Sequence, residues 1–340
     1  MSLNVLILGV NGFIGSHLAE AVLTKTDWTL HGFDIKTDNL AHCLNHPRFH
    51  FNQGDIRTEN DYLDKQIKAV DVMLPLVAIA TPATYVKEPL KIFELDFEAN
   101  LKVIRMAQQH QTRVIFPSTS EVYGMSPDIP FDEYTSNLTY GPIEKERWIY
   151  ACGKQMLDRV IYAMGKHQQL DYTLFRPFNW FGPRLDNPLN TERGSSRALT
   201  QFIGNIIRGE NIELVDGGEQ MRAFIYVDDC VEALLKIIEN KNNQASQEIF
   251  NIGYPEEEYS IRQLAEFLIE EIKQYPTYKD AAEKTKLIST SSTDYYGKGY
   301  QDVSKRVPSI KNIQQKLQWQ PKTSLRDGIR KTLAFYFGCL

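Results

Sequence analysis

Tyr150 and Lys154 stand at i and i+4 in Tyr150-Ala-Cys-Gly-Lys154, a spacing that puts a phenol and an ammonium on one face of a helix. Taking a proton from an alcohol near neutral pH requires a phenolate, whereas a free tyrosine has a pKa of about 10. A neighbouring ammonium favours the ionised form, so the pair reads as a general base and its electrostatic partner. Such pairs also arise by chance, and position along the chain gives this one its weight.

The chemistry it serves is indicated at the start of the chain. Gly9-Val-Asn-Gly12-Phe-Ile-Gly15 follows an apolar run and opens a helix-periodic stretch, so that backbone amides can approach a pyrophosphate with no Cβ in the way. The next apolar run ends at Asp34, where a carboxylate accepts from a ribose 2′-hydroxyl and repels a 2′-phosphate. That pattern points to NAD rather than NADP. The candidate cofactor residues are Gly9, Gly12, Phe13, Ile14, Gly15, Asp34, Ile35 and Lys154, with Asp55 and Ile56 after the third run towards the adenine edge. The positive ring of NAD⁺ adds to Lys154 in favouring the Tyr150 phenolate.

These residues need a frame, and the apolar pattern supplies one. Candidate strands are Val5–Leu8, Leu30–Asp34, Phe49–Asn52, Val70–Leu74, Val114–Pro117 and Tyr172–Arg176. Val5-Leu-Ile-Leu8 lacks alternation, the mark of a strand covered on both faces. Ile14, Leu18, Ala21 and Val22 recur at helical spacing, as do Phe97, Leu101 and Ile104, then Leu157, Val160, Ile161 and Met164. Alternating strands and helices predict an α/β fold, a doubly wound Rossmann parallel sheet over residues 1–176. From residue 177 to 340 the texture turns to polar loops with further helices such as Ile261–Ile272, which predicts a smaller substrate-binding lobe, some of whose elements can return to the first.

Composition removes other classes. A net charge of −5 and a pI near 5.9 leave no basic footprint for nucleic acid. Cys43, Cys152, Cys230 and Cys339 have neither metal-ligand spacing nor the density of a disulfide scaffold, so no metal is expected. The chain runs straight into Asn4–Leu8 without a basic leader, and its longest apolar run, Val72–Ala80, is broken by Pro75 and falls far short of the ~20 residues that span a bilayer. A cytoplasmic location with no membrane partner is the expectation.

Longer motifs carry a resemblance. Phe116-Pro-Ser-Thr-Ser-Glu-Val-Tyr-Gly124, Arg147-Trp-Ile-Tyr150, Leu174-Phe-Arg-Pro-Phe-Asn-Trp180 with Gly182-Pro-Arg-Leu-Asp186, and Tyr295-Tyr-Gly-Lys-Gly-Tyr-Gln-Asp302 resemble the UDP-glucuronic acid decarboxylases among the extended short-chain dehydrogenases. Within them the likeness is greatest to the dehydrogenase half of bifunctional polymyxin-resistance enzymes of lipid A modification, and it covers nearly the whole chain. The resemblance implies NAD-dependent oxidation of UDP-glucuronate at C4, loss of CO₂, and release of a UDP-4-keto-pentose with NADH. It implies Tyr150 as base, with Lys154 beside it and the Thr119 and Ser120 hydroxyls on the reacting oxygen. Glu121 and Arg306 are the residues that separate decarboxylation from epimerisation. An arginine is a poor acid, with a pKa above ~12, so Arg306 is read as the partner of the substrate carboxylate that organises a proton near C5. A buried Glu121–Arg306 ion pair is the structural alternative.

For the substrate, the resemblance implies Ala80 and Tyr85 near the uridine or sugar edge. It places Arg147, Asn179 and Arg222 towards the diphosphate and glucuronate, and Tyr300 at the uracil-ribose end. Two residues depart from the pattern: Glu213 stands where a lysine is expected, and Gly153 where a serine is. Three other readings stay open: a UDP-xylose synthase that recycles its NADH, a UDP-sugar 4-epimerase, and a non-catalytic NAD sensor. A homodimer or higher homo-oligomer is implied by the relatives' habit of pairing.

Overall fold

The computed structural model describes residues 2–338, so Cys339 lies outside the described residues. Seven strands build the central sheet: β1 (Asn4–Leu8), β2 (Thr29–Asp34), β3 (Phe49–Gln53), β4 (Val72–Pro75), β5 (Arg113–Pro117), β6 (Tyr172–Pro177) and β7 (Glu248–Ile252). Their order is β7-β6-β5-β4-β1-β2-β3 and every pairing is parallel. This is the doubly wound Rossmann sheet. The chain winds outward from β1 to β3, returns to β4 on the other side of β1, and so opens a crevice at the carboxyl ends of β1 and β4.

The unbroken apolar run of β1 has a direct cause. Val5 and Ile7 point into one core, with Leu18 and Val22 of α1 (Phe13–Lys25) and residues of the helix Val227–Glu239. Leu6 and Leu8 point into the opposite core, with Val103 and Ile104 of α2 (Asn100–His110) and Leu157 and Ile161 of α3 (Trp148–Gln168). Both faces of the strand are dry, and each such side chain contributes about 1.5–3 kcal/mol by leaving water.

Two expected elements are displaced. The fourth strand begins at Val72 rather than Val70, because Val70 caps the helix Asn60–Ala69 and the Asp71 carboxylate accepts from the Asn4 amide at 2.8 Å. The periodic stretch around Phe97 is not one α-helix. Phe93–Ala99 is π-helical and α2 starts at Asn100, whose side-chain amide donates to the carbonyls of Leu95, Asp96 and Val77. That side chain satisfies carbonyls at the wide turn.

After β6 the chain adds small sheets at the crevice. Met221–Ala223 pairs antiparallel with Glu258–Ser260 and parallel with Lys305–Arg306, which sets Arg306 beside Arg222 in register. Ser260 and Gln263 form a capping box that starts the helix Ile261–Ile272. Among the described residues no helix is long and apolar enough to cross a membrane.

Candidate active site

The crevice is a cleft of about 970 Å³ lined by the glycine turn, by Thr119, Ser120 and Glu121, and by Tyr150 and Lys154. At the turn, Gly9 has φ +84°, and a Cβ on Gly15 would sit 2.4 Å from the Gly9 carbonyl oxygen and 2.7 Å from the Val10 Cα. No side chain fits there. The turn therefore delivers the first amides of α1, those of Phe13 and Ile14, which lack partners within the helix, to the cleft floor. A glycine cradle opening on a helix N-terminus at the switch point fits the pyrophosphate of NAD.

Asp34 stands one layer back. Its carboxylate accepts from the Asn11 amide at 2.9 Å and the Lys36 amide at 3.2 Å, and burial pushes it above the usual carboxylate range. It thus braces the turn and does not itself line the cleft, whose wall there is formed by Asp38 and Asn39. Asn39 was not singled out from the sequence; it donates two hydrogen bonds to Asn11, from its backbone amide to the side-chain oxygen at 2.7 Å and from its side chain to the backbone carbonyl at 2.9 Å. Ile35 is exposed, Ile56 packs in the core with Phe33, and Asp55 pairs with Arg57 at 2.7 Å; none of the three lines the cleft.

Tyr150 and Lys154 share the buried face of α3, and Tyr150 stacks on Tyr85 with ring centroids 4.6 Å apart. Ala80 lines the same cleft. The electrostatics depart from the simple expectation. Burial pushes the phenol up, the nearby Asp96 carboxylate and Glu121 push the same way, and a hydrogen bond with Thr119 works against them. The Lys154 ammonium is turned towards the Pro117 carbonyl, 2.9 Å away, and burial lowers its own pKa. Nothing in the sequence showed this, because both effects come chiefly from burial and from groups that β5, the Ser120–Tyr123 turn and the π-helical turn bring to α3.

Next to the pair lies a charged cluster. Glu121, on the short 3-10 turn Ser120–Tyr123, accepts from Arg147 and from Arg306 with one oxygen each. Burial alone would raise its pKa, but Arg147, Arg306 and Arg222 outweigh that and hold it down to about 2. Arg147 lies between the rings of Trp148 and Tyr300, 4.6 and 5.1 Å from their centroids, and also donates to the Gln301 carbonyl. Arg222 donates to Asp302 at 2.8 Å and to the Met221 carbonyl at 2.8 Å. Arg306 reaches the Asn179 side-chain oxygen at 3.4 Å, and Asn179 itself holds a left-handed backbone at φ +42°. Arg147, Arg222, Arg306, Tyr300 and Asn179 line a second cavity of about 210 Å³ that shares Glu121, Asn179 and Arg306 with the main cleft.

Three guanidiniums therefore meet two carboxylates, Glu121 and Asp302, leaving one positive charge in excess where an anion can bind. Asp302 lay inside a quoted motif without being assigned a role. Glu213, the departure from the expected lysine, is gripped by the fork of Arg193 at 2.6 and 3.0 Å, and Arg193 stacks over Tyr295. The reversed charge is matched locally.

Residues 5–253 match the NAD dependent epimerase/dehydratase family, and the chain belongs to it. NAD is its cofactor. Among solved structures, the chain is 51% identical to the PbgP3 protein from Burkholderia pseudomallei, over 99% of this chain and 97% of that one, with a TM-score of 0.91. The same fold recurs in a UDP-N-acetylglucosamine 4-epimerase from Methanobrevibacter ruminantium M1, 24% identical over 100% and 99% of the two chains with a TM-score of 0.82. It recurs also in a UDP-glucuronic acid 4-epimerase from Bacillus cereus, 22% identical over 99% and 100% with a TM-score of 0.81.

Proposed function

We propose that this protein oxidises UDP-glucuronate at C4 and decarboxylates it, giving a UDP-4-keto-pentose, CO₂ and NADH. The observation that carries the reading is the Glu121–Arg147–Arg306 cluster set against Tyr150 at the end of a glycine-lined cleft. Epimerisation needs only the base and the cofactor. A pair of guanidiniums beside the sugar site, Arg147 buried and Arg306 partly so, suits a substrate that bears its own carboxylate.

The amides of Phe13 and Ile14 in the Gly9–Gly15 turn would hold the pyrophosphate, Asp34 would accept from the adenosine ribose, and the Lys154 N–H groups not given to Pro117 would donate to the nicotinamide ribose. When bound, NAD⁺ supplies the hydride acceptor. Tyr150 takes the proton of the 4-hydroxyl as the C4 hydrogen leaves as hydride, and Thr119 and Ser120 hold the oxygen. The resulting ketone is β to the carboxylate. Arg306 pairs with that carboxylate until the C5–carboxyl bond breaks; its electron pair passes into the 4-keto oxygen as an enolate that the same hydroxyls stabilise. C5 then takes a proton from water beside Glu121 and Arg306.

The test is incubation with UDP-glucuronate and NAD⁺, following NADH absorbance and CO₂ and identifying the product by NMR. Equal yields of NADH, CO₂ and keto-pentose are expected. UDP-xylose without NADH would replace this reading by a synthase that reuses its hydride, and a C4 epimer by an epimerase. Silence in all channels with NAD bound would leave only the sensor.

A further inference from the structure

Lys154 is 1% exposed and has three donors, yet one acceptor meets them, the Pro117 carbonyl. Its ammonium lies over the Phe116 ring, 4.7 Å from the centroid. A buried ammonium needs a counter-charge. Two buried carboxylates act on it, Asp96 and Asp158. Asp158, one turn further along α3, is already engaged: its Oδ2 accepts from the Ser118 hydroxyl at 2.7 Å and from Arg176 at 3.3 Å. Asp96 has no guanidinium partner: it is 2% exposed, its Oδ1 accepts from the Ile79 amide at 2.9 Å, and among the described residues its Oδ2, like Oδ1 of Asp158, has no hydrogen-bond partner.

The π-helical turn is what delivers Asp96. Phe93–Ala99 packs on α3, where a Cβ on Gly153 would touch Phe97 at 3.6 Å, and the extra residue per turn aims the carboxylate inward. We propose that Asp96 is a positioning residue of the Tyr150–Lys154 pair, a buried counter-charge on the turn packed against α3 that acts on the pair through space, without pairing with Lys154, and sets the pH at which Tyr150 gives up its proton. The proposal rests on the reading of Tyr150 as the base.

Burial raises Asp96 to about 6 while Lys154 works against it, so the carboxylate carries its charge above that value. Tyr150 stacks on Tyr85 and feels Asp96, Glu121 and Arg197 together with the Thr119 hydroxyl; Lys154 meets the Pro117 carbonyl and the Phe116 ring and feels Asp96 and Asp158. Among the charged ones Asp96 acts most strongly on both members of the pair. An anion there opposes the phenolate and favours the ammonium.

Asp96→Asn keeps the shape and the acceptor for the Ile79 amide while removing the charge. With UDP-glucuronate as substrate, the acidic limb of the kcat/KM profile is expected to move to lower pH by roughly one unit, the scale of a close charge. Asp96→Glu should return it towards wild type. A limb that stays in place or moves to higher pH overturns the proposal. If Asp96→Asn does not fold, the Asp96 carboxyl ¹³C resonance decides: its titration midpoint should rise in Lys154→Met, and an unchanged midpoint overturns the assignment. An active Tyr150→Phe protein would instead sink the base itself. An inactive one with an unmoved Asp96→Asn limb would sink only the role of Asp96.

Discussion

Replacing Glu121 by glutamine removes one of the two negative charges that hold Arg147, Arg222 and Arg306 together. The arginines keep the Glu121 carboxyl at about 2 against an ordinary value of 4.5, although burial pushes the other way. That displacement corresponds to about 3 kcal/mol of folded-state stability at neutral pH, at ~1.4 kcal/mol per unit. Because the folded pKa is depressed, the contribution is fully present above the unfolded value and is lost as pH falls towards about 2. Urea unfolding near neutral pH should therefore find Glu121→Gln about 3 kcal/mol less stable, the cost of leaving buried guanidiniums short of a partner. Below about pH 4.5 the two proteins should converge. Equal stability at neutral pH, or a gap that ignores pH through the acidic range, would show that the carboxylate is not held as described. In the same variant decarboxylation should fall more than NAD binding does, measured by CO₂ release and by cofactor titration.

Gly15→Ala puts a Cβ 2.4 Å from a backbone oxygen, so NAD affinity should collapse in a fluorescence titration and stability should drop by about 1–3 kcal/mol. Tyr150→Phe should abolish NADH formation while NAD still binds, since the phenol and not the ring takes the proton. Glu133 is buried with Oε1 accepting from the Asn251 amide at 2.7 Å, and burial lifts it to about 7. Its raised value means that its contribution is complete below about pH 4.5 and is lost as pH rises through about 7. Glu133→Gln should then exceed wild type in urea stability by up to about 3 kcal/mol near pH 8 and show no advantage near pH 4.5.

What the sequence made legible was whatever has a local signal. β1 and its glycine turn could be read because a strand buried on both faces must be apolar throughout, and because Gly15 tolerates no side chain. The helix Ile261–Ile272, named from the sequence, has the bounds found in the structure. Glu121, Arg147 and Arg306 could be named through the motifs around them. The Glu121–Arg306 ion pair was named as an alternative reading and is present; that Arg147 shares Glu121 and that Arg222 takes Asp302 could not be named, since that depends on Lys305–Arg306 pairing with Met221–Arg222 across a long stretch of chain. Asp96 escaped notice for a related reason. A lone carboxylate in a helical stretch reads as solvated unless one knows that the turn is a π-helix and turns it inward.

The last strand of the central sheet has a bearing on how such chains can be recombined. β7 binds β6 along its length from Glu248 to Ile252, so the chain leaves the sheet after Pro177 and must come back to finish it. A fragment stopping before that return would present Tyr172–Pro177 as a bare edge, ready to pair with a neighbouring molecule. Substrate preference in this scaffold is therefore not a cassette that a single crossover can swap. Grafting Arg222 and Arg306 from one relative onto another calls for three junctions, one after Pro177 and one on either side of β7, with that strand left in its original sheet; Arg147, at the start of α3, travels with neither segment.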